Sequence, residues 1–195
     1  MTVDRIESLD RQKSKVFVDG DFAFVLYAGE LKKFGIEEGK SLEPSIYEEA
    51  ASVVYVRARE KALRLLETRS RTEWEIRRKL RAAFCGEKTE EAVIAFLKEY
   101  GFLDDRKYIQ NYIEIYGKKK SRAELIQGLC RKGISRSLAG EYCRETDSRE
   151  AIEKLLQKRG YTASDCSREE REKTAAYLLR RGFSWEDIRA CLCEI

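Results

Sequence analysis

From residue 45 onward, apolar side chains recur every three or four positions, the spacing of one face of an amphipathic α-helix. Glycines, or serines that can begin a helix, separate these segments. The pattern predicts nine helices in three sets of three, at residues 45–102, 103–146 and 147–195. The first helix is predicted from about Ser45 to Thr68.

Three of the predicted helices begin with the motif Ser-x-x-Glu. In such a capping box the serine oxygen accepts a backbone N–H of the first turn, and the glutamate accepts the serine's own N–H. The pairs are Ser70 with Glu73, Ser121 with Glu124, and Ser167 with Glu170. The serines are 51 and 46 residues apart, which predicts a tandem array of helical units sharing apolar faces in an elongated body.

The ends of these helices differ between the sets. The apolar stripe after Ser70 continues through Ala83 and Phe84, so a helix is predicted to that point, and the next is predicted to begin at Thr89. The second and third sets share a different ending, a basic residue, a glycine, an apolar residue and a serine. These endings are Lys132-Gly133-Ile134-Ser135 and Arg181-Gly182-Phe183-Ser184.

The first 44 residues follow a different pattern. Two short runs of β-branched and aromatic residues, at 15–18 and 22–27, flank Asp19-Gly20, a strong signal for a hairpin turn. Because a lone hairpin is marginally stable, we expect a third strand near Val3–Ile6. Residues 1–44 are therefore predicted to form a small β-hairpin module before the helices.

Composition narrows the possible chemistry. The chain has no histidine, which excludes Ser-His-Asp and Cys-His catalysis and histidine-ligated metals. None of its six cysteines forms a Cys-x-x-Cys pair, so we expect them to be small core residues. No apolar run approaches the length that spans a membrane, and the first residues resemble no signal peptide. The prediction is a cytoplasmic, non-enzymatic protein without a cofactor or metal.

Positive charge is concentrated in the helical part. Residues 1–60 carry 9 Lys and Arg against 12 Asp and Glu, whereas the remainder carries 30 against 23. Two basic clusters are candidates for contact with a polyanion. They are Lys118, Lys119, Lys120 and Arg122 between two helices, and Arg77, Arg78 and Arg81 on one helix. Either cluster is also consistent with a solvated face of a charge-rich protein.

Two further constellations have a structural and a functional interpretation. Asp104 and Asp105 suit a helix cap far better than the carboxylate pair of a metal-dependent nuclease. The stripe Tyr108, Tyr112 and Tyr116 is more typical of a core face than of a platform that stacks bases.

Three stretches together resemble the RecX family, the bacterial regulators of the RecA recombinase. The residues that carry the resemblance are 69–73 with Lys79-Leu80, 100–105 with Tyr108 and Tyr112, and 117–122 with Leu125, Leu129 and 132–134. The hairpin at 16–24 resembles the N-terminal extension of many members. Two segments depart from the family: three lysines at 118–120 replace a more mixed sequence, and residues 161–166 diverge.

The resemblance implies three tandem three-helix repeats forming a curved rod. It also implies binding in the groove of a RecA–single-stranded-DNA filament, where the family dampens strand exchange, ATP hydrolysis and the co-protease activity of the SOS response. We expect the protein itself to be a monomer. No catalytic residues come with the resemblance. A stand-alone tri-helical DNA-binding protein is the alternative, with weak direct contact to DNA open in both cases.

Overall fold

The computed structural model describes residues 1–162 and 166–193, and within these ranges it has ten α-helices, three β-strands and one short 3-10 turn. The strands are β1 (Val3–Ser8), β2 (Lys13–Val18) and β3 (Asp21–Tyr27). The helices are α1 (Ala28–Phe34), α2 (Pro44–Thr68), α3 (Glu73–Arg81), α4 (Glu87–Glu99), α5 (Asp105–Tyr116), α6 (Arg122–Cys130), α7 (Arg136–Tyr142), α8 (Arg149–Lys158), α9 (Arg168–Arg180) and α10 (Trp185–Cys193).

The chain divides into two compact units, Met1–Asp104 and Asp105–Ile195. These elements confirm the predicted fold class, a mainly helical fold with a small N-terminal sheet. Helix α1, for which the sequence allows either a short helix or a loop, precedes the nine predicted helices and ends at Gly35 in the left-handed conformation. Of the divergent stretch 161–166, residues 163–165 lie outside the described residues.

The N-terminal strands form one antiparallel sheet in the order β1-β2-β3. Asp19 and Gly20 connect β2 to β3 at φ values of 50° and 89°, as a two-residue hairpin turn requires. Strand β1 pairs with β2 so that Val3 faces Val18. The predicted hairpin and its third strand are both confirmed.

Helix α2 belongs to two hydrophobic cores of the first unit. Its N-terminal half packs Ala50 and Val54 against the sheet, and its C-terminal half packs Ala58 and Ala62 against α3 and α4. Both pairs are almost fully buried, and small side chains let neighbouring elements approach the helix closely. The division predicted at residue 44 stays a prediction, but α2 joins the sheet core to the helical core.

The capping box of α3 differs from the prediction. Thr72 Oγ1 accepts the Glu75 backbone N–H at 3.3 Å, and the Glu75 carboxylate accepts the Thr72 N–H at 3.4 Å. The predicted box at Ser70 and Glu73 is therefore wrong by two residues. Two Ser/Thr-x-x-Glu motifs overlap here, and the one with the fully buried threonine caps the helix.

The predicted end of α3 and start of α4 are also wrong. Helix α3 stops at Arg81, and Phe84 adopts the left-handed conformation at φ 57°, so the apolar stripe does not extend through Ala83 and Phe84 as a helix. Helix α4 begins at Glu87 rather than at Thr89. Phe84 N–H donates to Arg81 at 2.8 Å, which closes the end of the helix.

The second unit contains two three-helix groups, each with its own core. Helices α5, α6 and α7 surround Ile109, Leu125 and Leu129, and helices α8, α9 and α10 surround Ile152, Leu178 and related side chains. The capping boxes predicted at Ser121 and Ser167 are confirmed, since each serine accepts the backbone N–H of the glutamate three residues on.

The first helix after each box ends in the same kind of turn. Gly133 and Gly182 both have φ 83°, and each donates its N–H to a carbonyl of the preceding helix at 2.9 Å. In the first unit, Phe84 takes this left-handed position after α3, within the group formed by α2, α3 and α4. All three turns therefore have a residue in the left-handed conformation, but that residue is a glycine in only two of them.

Candidate partner interface

The predicted lysine cluster lies on a short, fixed connection in the second unit. Residues Gly117–Lys119 form a 3-10 turn between α5 and the cap of α6. Gly117 is buried, and a Cβ there would lie 3.5 Å from the Thr146 methyl group. Lys118 pairs with Glu150 at 3.4 Å, and both lysines of the turn are exposed. The turn thus presents its lysines from an anchored backbone.

Lys120 lies over two tyrosine rings of α5. Its Nζ is 4.3 Å from the Tyr116 ring centre, 5.4 Å from that of Tyr112 and 3.2 Å from the Tyr112 hydroxyl. Ammonium groups are attracted to aromatic faces at these distances. The structure divides the tyrosine stripe: Tyr108 and Tyr112 are half-buried against the core, whereas Tyr116 is 36 % exposed.

These side chains line a cleft of about 630 Å³, which we call the lysine cleft. Its lining residues are Tyr112, Tyr116, Lys119, Lys120, Glu124, Gln127, Gly128, Arg131, Lys132 and Arg181. Five of them are basic and one is acidic. Any side chain at Gly128 would collide with the Tyr112 hydroxyl, because a Cβ would lie 2.1 Å from it. This glycine leaves room for the end of the Tyr112 side chain beside α6.

Arg122 points to a second concave surface in the same unit, which we call the arginine cleft. It measures about 980 Å³. Its charged lining residues are Arg122, Glu124, Arg136, Arg144, Arg180, Arg181, Glu186 and Asp187. Planar guanidinium groups suit bidentate contacts to phosphate or carboxylate oxygens. Of the predicted cluster, Lys119 and Lys120 therefore line the lysine cleft, Arg122 lines the arginine cleft, and Lys118 lines neither.

The wall between the two clefts is an ion pair on the capping box of α6. Arg181 Nη2 lies 2.6 Å from Glu124 Oε1, and the Ser121 hydroxyl donates to the Arg181 carbonyl at 2.6 Å. The hydrogen bond to Glu124, followed by one to Tyr177, raises the pKa of Arg181. The same cap that begins α6 thus holds the turn between α9 and α10.

The basic cluster on α3 has a different environment. Arg77 contacts the carboxylates of Glu73, Glu90 and Glu91, with N–O distances of 2.7, 2.9 and 2.6 Å. Hydrogen bonding, first to Glu91, raises the pKa of Arg77. Arg81 also pairs with Glu90, at 2.8 Å. These two arginines join α3 to α4.

Arg78 is placed differently from its two neighbours. It is exposed, and its guanidinium lies 4.5 Å from the Trp74 ring centre. Of the α3 cluster, Arg78 has the side chain best placed to meet a partner. A role in partner contact for any of the three arginines stays a prediction.

The remaining candidates add little chemistry. Helix α5 begins at Asp105, so Asp104 and Asp105 lie at a helix start, the position that the cap interpretation assigns to them. Across residues 1–162 and 166–193, no three carboxylate, thiol or imidazole groups come together as a metal site would need, and no helix is long and apolar enough to cross a membrane. Cys143 and Cys191 are buried, and burial raises the pKa of Cys191 to about 11.

Several cleft residues escaped sequence reasoning. Arg136 and Arg144 are isolated basic residues in the sequence, Arg131 and Arg180 each precede one further basic residue, and all four come to line the two clefts only through folding. The one available signal was the basic residues before Gly133 and Gly182, which recur in both groups.

Comparison with known proteins gives a consistent result. The family model described as RecX, first three-helix domain, matches residues 58–97, and that described as RecX, third three-helix domain, matches residues 145–192. The Regulatory protein RecX of Clostridium acetobutylicum is 31 % identical over 209 residues, covering 100 % of this chain and 96 % of the relative. That of Clostridium tetani is 28 % identical, covering 99 % and 94 %. The solved structure "Crystal structure of regulatory protein RecX" shares the fold with a TM-score of 0.65 at 23 % identity, covering 100 % and 99 %.

Proposed function

The chain belongs to the RecX family of regulatory proteins, and from that premise we propose that it is a non-enzymatic regulator, mainly an inhibitor, of the RecA recombinase. In this proposal it binds in the groove of the RecA–single-stranded-DNA filament and dampens strand exchange, ATP hydrolysis and the co-protease activity of the SOS response. The observation that carries the proposal is the similarity to a regulatory protein over the whole length of both chains.

The charge of the second unit supports a polyanionic partner. Basic side chains outnumber acidic ones in both clefts, five to one in the lysine cleft and five to three in the arginine cleft, and Lys119 and Arg122 among them are exposed. A filament that contains a nucleic acid strand presents phosphates at regular intervals, and each lysine or arginine contact releases condensed counterions. The proposed contact residues are Lys118, Lys119, Lys120 and Arg122, with Arg78 on the first unit.

The sequence also supports a non-enzymatic role. Without histidine, the general acid and base that serves most often at neutral pH is missing. The buried thiols Cys143 and Cys191 have pKa values raised by burial, so they are protonated and poor nucleophiles. We further propose that the protein acts as a monomer in the cytoplasm, where RecA filaments form.

The test is the ATPase activity of RecA from the same organism on single-stranded DNA. At equimolar or lower ratios, the purified protein is expected to reduce ATP hydrolysis several-fold, because it occupies the filament groove. Lys118→Ala/Lys119→Ala is expected to weaken this inhibition. Lys32→Ala/Lys33→Ala removes the same charge from α1 and is the control. Unchanged ATP hydrolysis with the wild-type protein would contradict the proposal.

A stand-alone tri-helical DNA-binding protein is the second candidate, because the two basic clefts suit DNA without RecA. It predicts tight binding to naked duplex DNA and a logarithm of affinity that falls steeply with the logarithm of salt concentration. Weak binding to naked duplex together with tight binding to the filament would favour the regulator.

A further inference from the structure

We propose that the lysine cleft is a base-stacking site for single-stranded nucleic acid, in which Tyr116 stacks on a base and Lys119, Lys120 and Arg131 contact phosphates. The inference rests on the proposed function in placing nucleic acid at the second unit. It adds the ligand class, a single strand with exposed bases, and the residue that recognises it.

The first step of the argument is the position of Tyr116. It ends α5 at the mouth of the cleft and is 36 % exposed, while the Tyr112 ring packs against it with 4.6 Å between ring centres. Tyr112 in turn is stacked with Tyr108 at 6.4 Å. A row of tyrosines thus holds the exposed ring in place from behind. Such a fixed ring is a stacking platform for any base, because every base has an aromatic face.

The second step is the state of Lys120. The contacts of its ammonium are two tyrosine rings and a neutral hydroxyl, which satisfy a cation less well than a phosphate does. The flexible lysine stem can move the ammonium from the rings to a phosphate beside them. That movement would uncover the Tyr116 ring for a base while the charge remains at the rim.

The third step is the balance of charge in the cleft. Its one carboxylate, Glu124, is already engaged by Arg181 at 2.6 Å, so it offers little repulsion to a phosphate. Arg131 and Lys119 flank the tyrosines in the same cleft. A volume of about 630 Å³ lies within the usual range for small-ligand pockets, roughly 300–1,000 Å³. Basic groups around aromatic rings are the arrangement of single-strand binding grooves.

A duplex would not use this site in the same way. Its bases are stacked on one another and are not available to a tyrosine ring. An acidic peptide would meet the lysines but would gain nothing from a stacked aromatic side chain. The geometry therefore favours a single strand over both, and these two ligands serve as comparisons in the test.

The experiment measures binding by fluorescence anisotropy with three labelled probes of equal length. They are an oligothymidylate, an abasic strand with the same phosphates, and a duplex. The wild-type protein is expected to bind the oligothymidylate about 5- to 150-fold more tightly than the abasic strand, the range that one stacked base provides. Tyr116→Ala should remove this difference, and Tyr116→Phe should retain it. Equal affinities of the wild-type protein for the two strands would overturn the inference.

A charge-matched pair of variants separates the site from general electrostatics. Lys120→Ala and Arg136→Ala each remove one positive charge from the second unit, but only Lys120 lines the lysine cleft. Lys120→Ala should weaken binding to the oligothymidylate several-fold more than Arg136→Ala. Equal losses would overturn the inference. So would a polyglutamate peptide that binds as tightly as the oligothymidylate and is unaffected by Tyr116→Ala.

The RecA ATPase assay is run in parallel and can fail independently. If the wild-type protein inhibits RecA but binds the abasic strand as well as the oligothymidylate, this inference fails and the proposed function stands. If the protein prefers the oligothymidylate through Tyr116 but leaves RecA unaffected, the stacking site stands and the proposed function fails. Circular dichroism and urea unfolding of Tyr116→Ala confirm that the variant is folded.

Discussion

Replacing Ser121 with alanine tests whether the cap of α6 also holds the neighbouring helical group. The serine is fully buried, and its hydroxyl makes two hydrogen bonds. It accepts the Glu124 backbone N–H at 3.2 Å, as a cap, and donates to the Arg181 carbonyl at 2.6 Å. Ser167 is the matched control, because it accepts the Glu170 backbone N–H at the same 3.2 Å but lies exposed, and its hydroxyl donates only within its own box, to the Glu170 carboxylate at 3.1 Å.

The expected costs follow from these contacts. Loss of a serine cap destabilises a protein by about 1 kcal/mol, within a range of roughly 0.5–2 kcal/mol. Ser121→Ala also deprives the Arg181 carbonyl of its donor, which adds about 1 kcal/mol or more for a shielded group. We therefore expect Ser121→Ala to lower the free energy of unfolding by about 2–3 kcal/mol, and Ser167→Ala by about 1 kcal/mol.

Urea unfolding followed by circular dichroism measures both values. The comparison requires equal m-values, because a changed slope would signal a change in the unfolded or native ensemble. At equal m-values, the midpoint for Ser121→Ala should fall about two to three times as far as that for Ser167→Ala. If the two variants lose the same free energy, the bond to Arg181 contributes nothing, and the cap does not hold the turn between α9 and α10.

Two further predictions concern backbone strain and charge. Gly182→Ala should lower the free energy of unfolding in urea by more than Gly160→Ala. Both glycines have positive φ, but a Cβ at Gly182 would collide with the Ala123 side chain, whereas a Cβ at Gly160 would lie in open space. At Glu90, burial acts to raise the pKa, but hydrogen bonds from Arg81 and Arg77 outweigh it and the pKa is lowered. The stability that this carboxylate contributes is present above its ordinary pKa of about 4.3 and is lost as the pH falls through the lowered pKa. The difference in free energy of unfolding between the wild type and Glu90→Gln, measured in urea at several pH values, should therefore become smaller in acid.

Local signals allowed much of the fold to be predicted. The turn at Asp19-Gly20 and the caps at Ser121 and Ser167 depend on residues a few positions apart, and all are confirmed. The start of α3 was missed because two boxes overlap, and burial of Thr72 selects between them. Burial is a tertiary property, so the motif alone gives no preference. Phe84 was missed because a left-handed aromatic residue carries no sequence signal.

The candidate interface was predictable only in part. The lysines at 118–120 stand out because they are contiguous, but after folding Lys118 pairs with Glu150, Lys119 and Lys120 line one cleft, and Arg122 lines the other. Arg77 and Arg81 stand out for the same reason, yet Glu90 on the next helix engages both. Neighbouring charges in sequence say little about their partners in space, since a helix directs adjacent side chains to different faces.

In two of the three helical groups, the turn after the second helix packs against a neighbouring element, and the residue at its left-handed position fits what it contacts. In the group of α8, α9 and α10, the turn at Gly182 contacts the capping box at Ser121, and a side chain at Gly182 would collide with Ala123. A glycine is therefore required there for space as well as for φ.

In the first unit, the equivalent turn after α3 contacts the N-terminal sheet instead. The Phe84 ring lies 5.0 Å from the Lys15 ammonium, and a Cβ at Gly86 would lie 3.2 Å from the Ala23 carbonyl oxygen. An aromatic residue can occupy the left-handed position here because its ring is 45 % exposed and has room beside the sheet. The strain of that conformation, of order 1–3 kcal/mol, has to be outweighed by surrounding contacts. The sheet therefore contacts the turn after α3, just as the capping box of α6 contacts the turn after α9.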